Sequence, residues 1–371
     1  MKIFEKSNND LGSVYVVYES PVKNEDPHLK GMSHLLEHMV CCALDDVEEK
    51  LDQHCLNHNA YTGGDGVVFY LSGLSEELAK FRQLFVDRII NYKPQLEHFN
   101  KEKNIVLQEY DDAYSESQFS SFSNYSSMKF GYVGPIGVRQ AIESVTFEQI
   151  CELHSRVFAK PSKVIVVDSE DFSVDVDFAD TSSGSYSSHR HINLDAPVVP
   201  SSVNLLNVSP ILPIDGIYHL HIIQTVLGLG LKSPLYQELR EKASLCYWVS
   251  AGGHKMNDDH VMVVSTSTKE ANVKQIFDLT LSVLSDPERH ISRERFDLIM
   301  QNRRIALKIA EQNLASNAYR KHLNSANERI SFVKNIDKIT FESTLDYFDR
   351  NLNPRNVAWD QFDERAIRDM V

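Results

Sequence analysis

Hydrophobic positions recur along this chain in two rhythms. In EELAKFRQLFVDRII, residues 76–90, Leu78, Phe81, Phe85 and Ile89 fall at helical spacing. In YTGGDGVVFYLSG, residues 61–73, a glycine turn leads into a run of β-branched and aromatic residues, which predicts a strand. Two further segments predict helices. GMSHLLEHMV, residues 31–40, is apolar and free of breakers after Gly31. FNKEKNIVLQEYDDA, residues 99–113, places Phe99, Glu102, Val106, Glu109 and Ala113 on one helical stripe. Helices and strands come in runs rather than in strict alternation. The expected class is therefore α+β, with helices covering a mainly antiparallel sheet in each half.

The pattern also repeats. Ile142, Thr146, Phe147 and Glu148 lie 194 positions before Ile336, Thr340, Phe341 and Glu342, and Pro161 matches Pro354 after a slip of one. In both copies the threonine stands where an N-cap belongs, opening an amphipathic helix that a proline ends before a final strand. Between the copies, residues 180–202 are rich in serine, with Pro197 and Pro200, and suit an exposed linker. The expected organisation is two related domains, 1–180 and 203–371, joined by a linker over 181–202. A length of 371 residues agrees with two domains of ordinary size.

Composition narrows the function. The formal net charge of -14 argues against nucleic acid, whose phosphates need a basic surface. Five cysteines at irregular spacing, Cys41, Cys42, Cys55, Cys151 and Cys246, do not form a disulfide framework and read as reduced thiols. The first twenty residues have neither a secretory nor a transit pattern. No stretch approaches about 18 uninterrupted apolar residues, so no membrane span is expected. The expected location is cytoplasmic.

The most specific chemistry is His34-Leu35-Leu36-Glu37-His38, an H-x-x-E-H pattern on a predicted helix. Positions i and i+4 share a helix face, so His34 and His38 can reach one cation together. Glu37 projects beside them and can hold a water without being a ligand. Two neutral imidazoles suit zinc, and a catalytic site then needs a third protein ligand and an open position. Glu102 and Glu109, seven apart on their own stripe, are costly to bury unless paired or cation-bound. Glu109 can complete a zinc sphere and Glu102 can orient a ligand histidine, or both can belong to a solvated acidic face. His54, Cys55 and His58, with Cys41 and Cys42, form a weaker rival cluster, because they lack paired C-x-x-C spacing. Gly228 and Gly230 read as a turn or helix-packing feature rather than a phosphate loop.

These residues give the chain a resemblance to the pitrilysin/insulinase family of zinc peptidases, which carry the inverted H-x-x-E-H motif. Glu109 follows His38 by 71 residues and Glu102 precedes Glu109 by seven, similar to the family's third ligand and the glutamate before it. The segment Asn59 to Thr62 resembles the family's stretch between these two helices. LGLGLKSPLYQELREKASLCYWVS, from Leu227, resembles its second-domain signature. The likeness runs from Gly12 to Val357. It departs at Val40-Cys41-Cys42-Ala43, where the family has an aromatic, glycine and threonine, and in a shortened N-terminal strand region.

The resemblance implies a zinc metalloendopeptidase with one Zn2+ per chain, held by His34, His38 and Glu109. It implies Glu37 as general base on zinc-bound water and Glu102 behind a ligand histidine. Asn59 and Ala60 would bind substrate backbone by strand addition, and Arg240 and Tyr247 would contact substrate from the second domain. Such a chain forms half of a clamshell, completed by an identical or related partner, and takes peptides or unfolded polypeptide segments. The alternative is a non-catalytic zinc-binding or structural subunit of a peptidase-like complex.

Overall fold

The computed structural model describes residues 1–7, 10–19, 25, 29–63, 66–115, 133–174, 176–179, 202–209, 214–256, 259–312 and 335–362. The chain divides into two compact units. The first comprises Met1–Asp111, Val133–Arg190 and Ala310–Asn327, and the second Asp112–Tyr132, His191–Ile309 and Glu328–Val371. The predicted linker over 181–202 lies outside the described residues as far as position 201. Ser202 already belongs to a strand, where it pairs with Ser267.

Apolar strand residues build the first unit's sheet. Its strands are β1 (Lys2–Lys6), β2 (Leu11–Tyr18), β3 (Asn57–Gly63), β4 (Gly66–Leu74) and β5 (Lys163–Asp168), in the order β1-β5-β2-β4-β3. The β1–β5 pairing is parallel and the other pairings are antiparallel. Val14, Val16 and Val17 of β2 and Val164 to Val167 of β5 are fully buried, as expected of central strands. Around the sheet stand α1 (Met32–Cys41), α2 (Glu48–Gln53), α3 (Ser75–Ile90), α4 (Leu96–Ser115), α5 (Arg139–Ser144) and α6 (Phe147–Leu153). A π turn, His154–Phe158, prolongs α6. Helix α3 packs on β2 and β4, and α1 packs on β3.

The second unit contains β6 (Ser202–Ser209), α7 (Ile214–Gly228), a π turn (Tyr236–Lys242), β7 (Val249–Met256) and β8 (Asp259–Ser267). After these come α8 (Val273–Ser285), α9 (Pro287–His290), α10 (Arg293–Gln312), α11 (Phe341–Asn351) and β9 (Asp360–Phe362). Its four strands run in the order β7-β8-β6-β9 and every pairing is antiparallel. Ile222, Ile223, Val226, Met262, Ile276 and Phe348 are central to its core. Gly228 has no room for a side chain, since a Cβ there would stand 2.5 Å from the Ala251 amide nitrogen. That close packing on β7 agrees with the helix-packing reading of this glycine.

The repeated threonine caps are present. Thr146 accepts from the Gln149 amide, and the Gln149 side chain returns a bond to the Thr146 amide. Thr340 and Ser343 make the same reciprocal pair at the start of α11. In each unit a proline, Pro161 or Pro354, follows the capped helix and precedes the last strand. An α+β fold of helices on mainly antiparallel sheets is what the hydrophobic pattern predicts.

Candidate metal centre

Helix α1 places five apolar residues, Met32, Leu35, Leu36, Met39 and Val40, in the core. The turn of helix left over carries His34, Glu37 and His38. The start of the helix is fixed by contacts distant in sequence. Gly31 has φ +106° and Gly137 has φ +84°, conformations that favour glycine. A Cβ on Gly137 would stand 2.3 Å from the Lys30 carbonyl oxygen, so the two backbones touch. The Val138 amide donates to that same carbonyl at 3.1 Å. The buried Glu25 carboxylate then accepts from the Ser33 amide at 2.5 Å and the Gly31 amide at 3.3 Å. It caps a helix whose own N-cap residue has no side chain, and its charge suits the helix N-terminus. Burial pushes the Glu25 carboxyl above its ordinary range, while these amide bonds and Lys30 pull it back.

Three ligand-type atoms converge on this half-buried face. The rings of His34 and His38 cross edge to face at 4.8 Å. Nε2 of His34 stands 3.6 Å, and Nε2 of His38 3.4 Å, from the same Glu109 carboxylate oxygen. A separation of 3.6 Å is too long for a hydrogen bond. Ligands about 2.1 Å from one tetrahedral ion stand roughly 3.4 Å apart, so the donor set fits zinc. Burial, and then the charge of His38, lower the His34 pKa to about 4, so this imidazole is neutral and able to coordinate at pH 7. Its Nδ1 is buried and has no hydrogen-bond partner among the described residues. Within those residues, His34, His38 and Glu109 are the group of metal-ligand side chains that comes together. The rival cluster is dispersed: His54 pairs with Glu77 at 2.5 Å, His58 lies 4.0 Å from Glu48, and Cys55 is exposed.

Glu102 stands behind His38, its Oε2 3.4 Å from Nδ1. The two glutamates of α4 thus face opposite nitrogens of one imidazole. Their environments differ, because Glu102 keeps 7% of its side chain exposed and Glu109 47%. The buried stripe of α4 passes from Val106 to Tyr110 rather than to Glu109. A seven-residue step falls about 20° short of two full helical turns, which leaves Glu109 at the open edge of the stripe.

Glu37 is buried, and its Oε2 accepts from the Thr62 hydroxyl at 2.5 Å. Burial, with the charge of Glu109 adding to it, pushes the carboxyl up to about 7. Thr62 lies next to Gly63, the final residue of β3, on the edge strand that also carries Asn59 and Ala60. β3 pairs with β4 on one side, Asn59 opposite Tyr70 and Ala60 opposite Phe69. Asn59 is exposed, and its Oδ1 accepts from the Ala60 amide at 2.8 Å. Arg240 and Tyr247 lie together in the second unit. The Arg240 guanidinium sits between the Tyr236 and Tyr247 rings, at 4.7 and 5.0 Å from their centroids, and donates to the Tyr236 hydroxyl.

Three contacts of the site are absent from the sequence reading. Thr62 meets Glu37, Glu25 caps α1, and Cys42 reaches Glu102. Each partner lies 8 to 60 residues away along the chain. Single long-range contacts of this kind leave no periodic trace. The one signal available was the departure at Cys41-Cys42, which marked the place but not the contact.

Comparison with known proteins places this geometry in context. Residues 4–131 match the family model described as insulinase (peptidase family M16), and residues 203–303 match the one described as the peptidase M16 inactive domain. An uncharacterized zinc protease of Rickettsia felis is 23% identical over 339 residues, covering 81% of this chain and 81% of that protein. One of Bacillus subtilis is 23% identical over 294 residues, covering 72% and 71%. Among solved structures, a protease from Helicobacter pylori superposes with a TM-score of 0.76 at 17% identity, covering 94% of this chain and 93% of that one. A peptidase M16 inactive domain from Pseudomonas fluorescens gives 0.71 at 13% identity, covering 97% and 94%. At such identities the solved structures establish the fold alone.

Proposed function

The chain belongs to the insulinase family of peptidases, M16, and from that premise we propose that it is a zinc metalloendopeptidase acting on peptides or unfolded polypeptide segments. The observation that carries this reading is the convergence of His34 and His38 of α1 with Glu109 of α4, beside the buried Glu37 carboxylate of α1. His34, His38 and Glu109 would hold one Zn2+ per chain. Zinc, when bound, supplies a Lewis acid that polarises a carbonyl and brings the pKa of water toward neutrality. Glu37 acts as general base, taking the proton of the attacking water and passing it to the leaving amine. A carboxyl raised toward 7 can both accept and return a proton at neutral pH. Thr62 holds that carboxylate in place. The open edge of β3, at Asn59 and Ala60, aligns the substrate backbone as an added strand.

By the family resemblance, Arg240 and Tyr247 serve the substrate held by a second copy or a related chain, giving a homodimer or heterodimer. Among the described residues no helix is long and apolar enough to cross a membrane. Free thiols at all five cysteines suit a reducing compartment, and we place the chain in the cytoplasm.

A second reading is a non-catalytic zinc-binding or structural subunit, favoured by the inactive-domain model that matches residues 203–303. Zinc content and peptide cleavage of wild type and Glu37→Gln separate the two. The peptidase reading expects about one zinc per chain in both, with cleavage reduced about 10²–10⁴-fold in the variant. Zinc without cleavage in wild type supports the subunit reading, and wild type without zinc overturns the peptidase reading.

A further inference from the structure

The atoms behind Glu102 extend the metal centre one step inward. Glu102 Oε2 faces His38 Nδ1, and its other oxygen, Oε1, has two neighbours. The Cys42 thiol donates to Oε1 at 3.4 Å, and Lys101 Nζ stands 3.1 Å away. The same thiol lies 3.7 Å from the His38 carbonyl oxygen. Both acceptors of Cys42 therefore belong to the assembly that orients His38. We propose that Cys42 is a positioning residue of the metal centre, its thiol steadying Glu102 so that Glu102 fixes the His38 imidazole.

The inference rests on the zinc reading above and goes beyond it. Lys101 holds Oε1 from the solvent side, its side chain 54% exposed, whereas Cys42 holds it from a buried position. Cys42 is buried between α1 and α4, in the short 3₁₀ turn Cys42–Leu44 that follows α1. Burial, and then the Glu102 carboxylate, push the thiol up to about 12, so it keeps the proton it donates. A thiol is a weak donor, which makes the effect a matter of orientation rather than of gross stability. The contact assigns a use to the point at which the chain leaves the family's pattern after His38.

The test is zinc affinity, measured by competition with a chromogenic chelator, on the purified full chain. Cys42→Val removes the donor and adds one carbon, whereas Cys42→Ser keeps a donor and loses volume. Cys42→Val is expected to weaken zinc binding about three- to tenfold, less than the roughly 10–100-fold lost with a direct orienting partner. Cys42→Ser is expected to stay within about twofold of wild type. Glu102→Gln supplies the direct loss, and adding Cys42→Val to it should cost nothing further.

Wild-type affinity in Cys42→Val overturns the proposal. So does a Ser variant weaker than the Val variant, which points to packing, and so do effects that simply add in the double variant. A wild-type chain that binds no zinc overturns the zinc reading and this inference together. Normal binding by wild type with any of the former results overturns this inference alone.

Discussion

Helices α1 and α7 each carry two histidines, and each is met by side chains of a long helix, α4 in the first unit and α10 in the second. On α1 the histidines are four apart and face the same way, and α4 answers with Glu102 and Glu109. On α7 they are His219 and His221, two apart, and α10 answers with arginines. Arg303 donates to the Thr225 hydroxyl at 2.6 Å, and Arg295 donates to the carbonyls of Val226 and Leu229. The Arg295 guanidinium caps the C-terminal end of α7, where carbonyls lack helical partners and positive charge is favoured. His219 stacks on Tyr347 at 5.2 Å and bonds Ser343 at 3.0 Å, so it serves the capped helix α11. Two histidines on a helix are thus no site in themselves. Their spacing, and the sign of the charge on the opposing helix, decide between metal chemistry and a structural clasp.

The largest effect that sharpens this contrast is on metal uptake. His38→Ala should lower zinc affinity by about three orders of magnitude or more, since it removes one of three ligands and the group that Glu102 orients. His221→Ala should leave zinc stoichiometry at wild-type level. Inductively coupled plasma analysis after dialysis reads both, and equal loss in the two variants breaks the comparison.

Next comes the pH dependence of the metal-free protein, read from urea unfolding. The Glu37 carboxyl is raised to about 7, so its share of stability is complete below about 4.5 and is lost as pH rises toward 7. The His34 imidazole is lowered to about 4, so its share is complete above about 6.5 and is lost as pH falls toward 4. Each is worth about 3 kcal/mol at full shift, and between pH 4.5 and 6.5 the two oppose each other. Glu37→Gln removes one of them. The metal-free variant should lose stability on acidification from pH 6.5 to 4.5 more steeply than metal-free wild type, and parallel profiles would refute the opposition. The second unit, which has no such pair of opposed groups among its described residues, contributes no matching difference.

Smaller effects test the clasp and the caps. Arg303→Ala should cost about 1–3 kcal/mol of unfolding free energy by denaturant titration, through the loss of a charged hydrogen bond, with zinc content unchanged. Thr146→Ala and Thr340→Ala should each cost about 1 kcal/mol if the two caps are equivalent, and a twofold or larger disparity in midpoint shift would separate them.

What could be read from the sequence was what is local. The H-x-x-E-H turn, the stripe of α4 as far as Val106 and the two threonine caps each fit within one or two helical turns. The α+β class followed from their succession. What could not be read depends on chain segments that meet only after folding. The parallel β1–β5 pairing joins Lys2 to Val164, and no hydrophobic rhythm announces it. Glu25 looks like one more acid in a polar stretch until it is found beneath α1. The exposure of Glu109 follows from helical drift across a seven-residue step, which spacing alone does not rank against burial. The sequence pattern placed Glu102 and Glu109 on one face, and the structure divides them between the two sides of His38.

The contact between Gly31 and Gly137 has a temporal consequence. The start of α1 is set by backbone that the ribosome delivers about a hundred residues later, and Glu109 also emerges well after His38. A nascent chain that has exposed H-x-x-E-H therefore has the motif but not the seat for its helix. At the elongation rates of translation, about 5–20 residues per second, that seat arrives several seconds afterwards. The convergence of His34, His38 and Glu109 is thereby deferred to a late stage of first-unit synthesis, well after the two histidines have emerged.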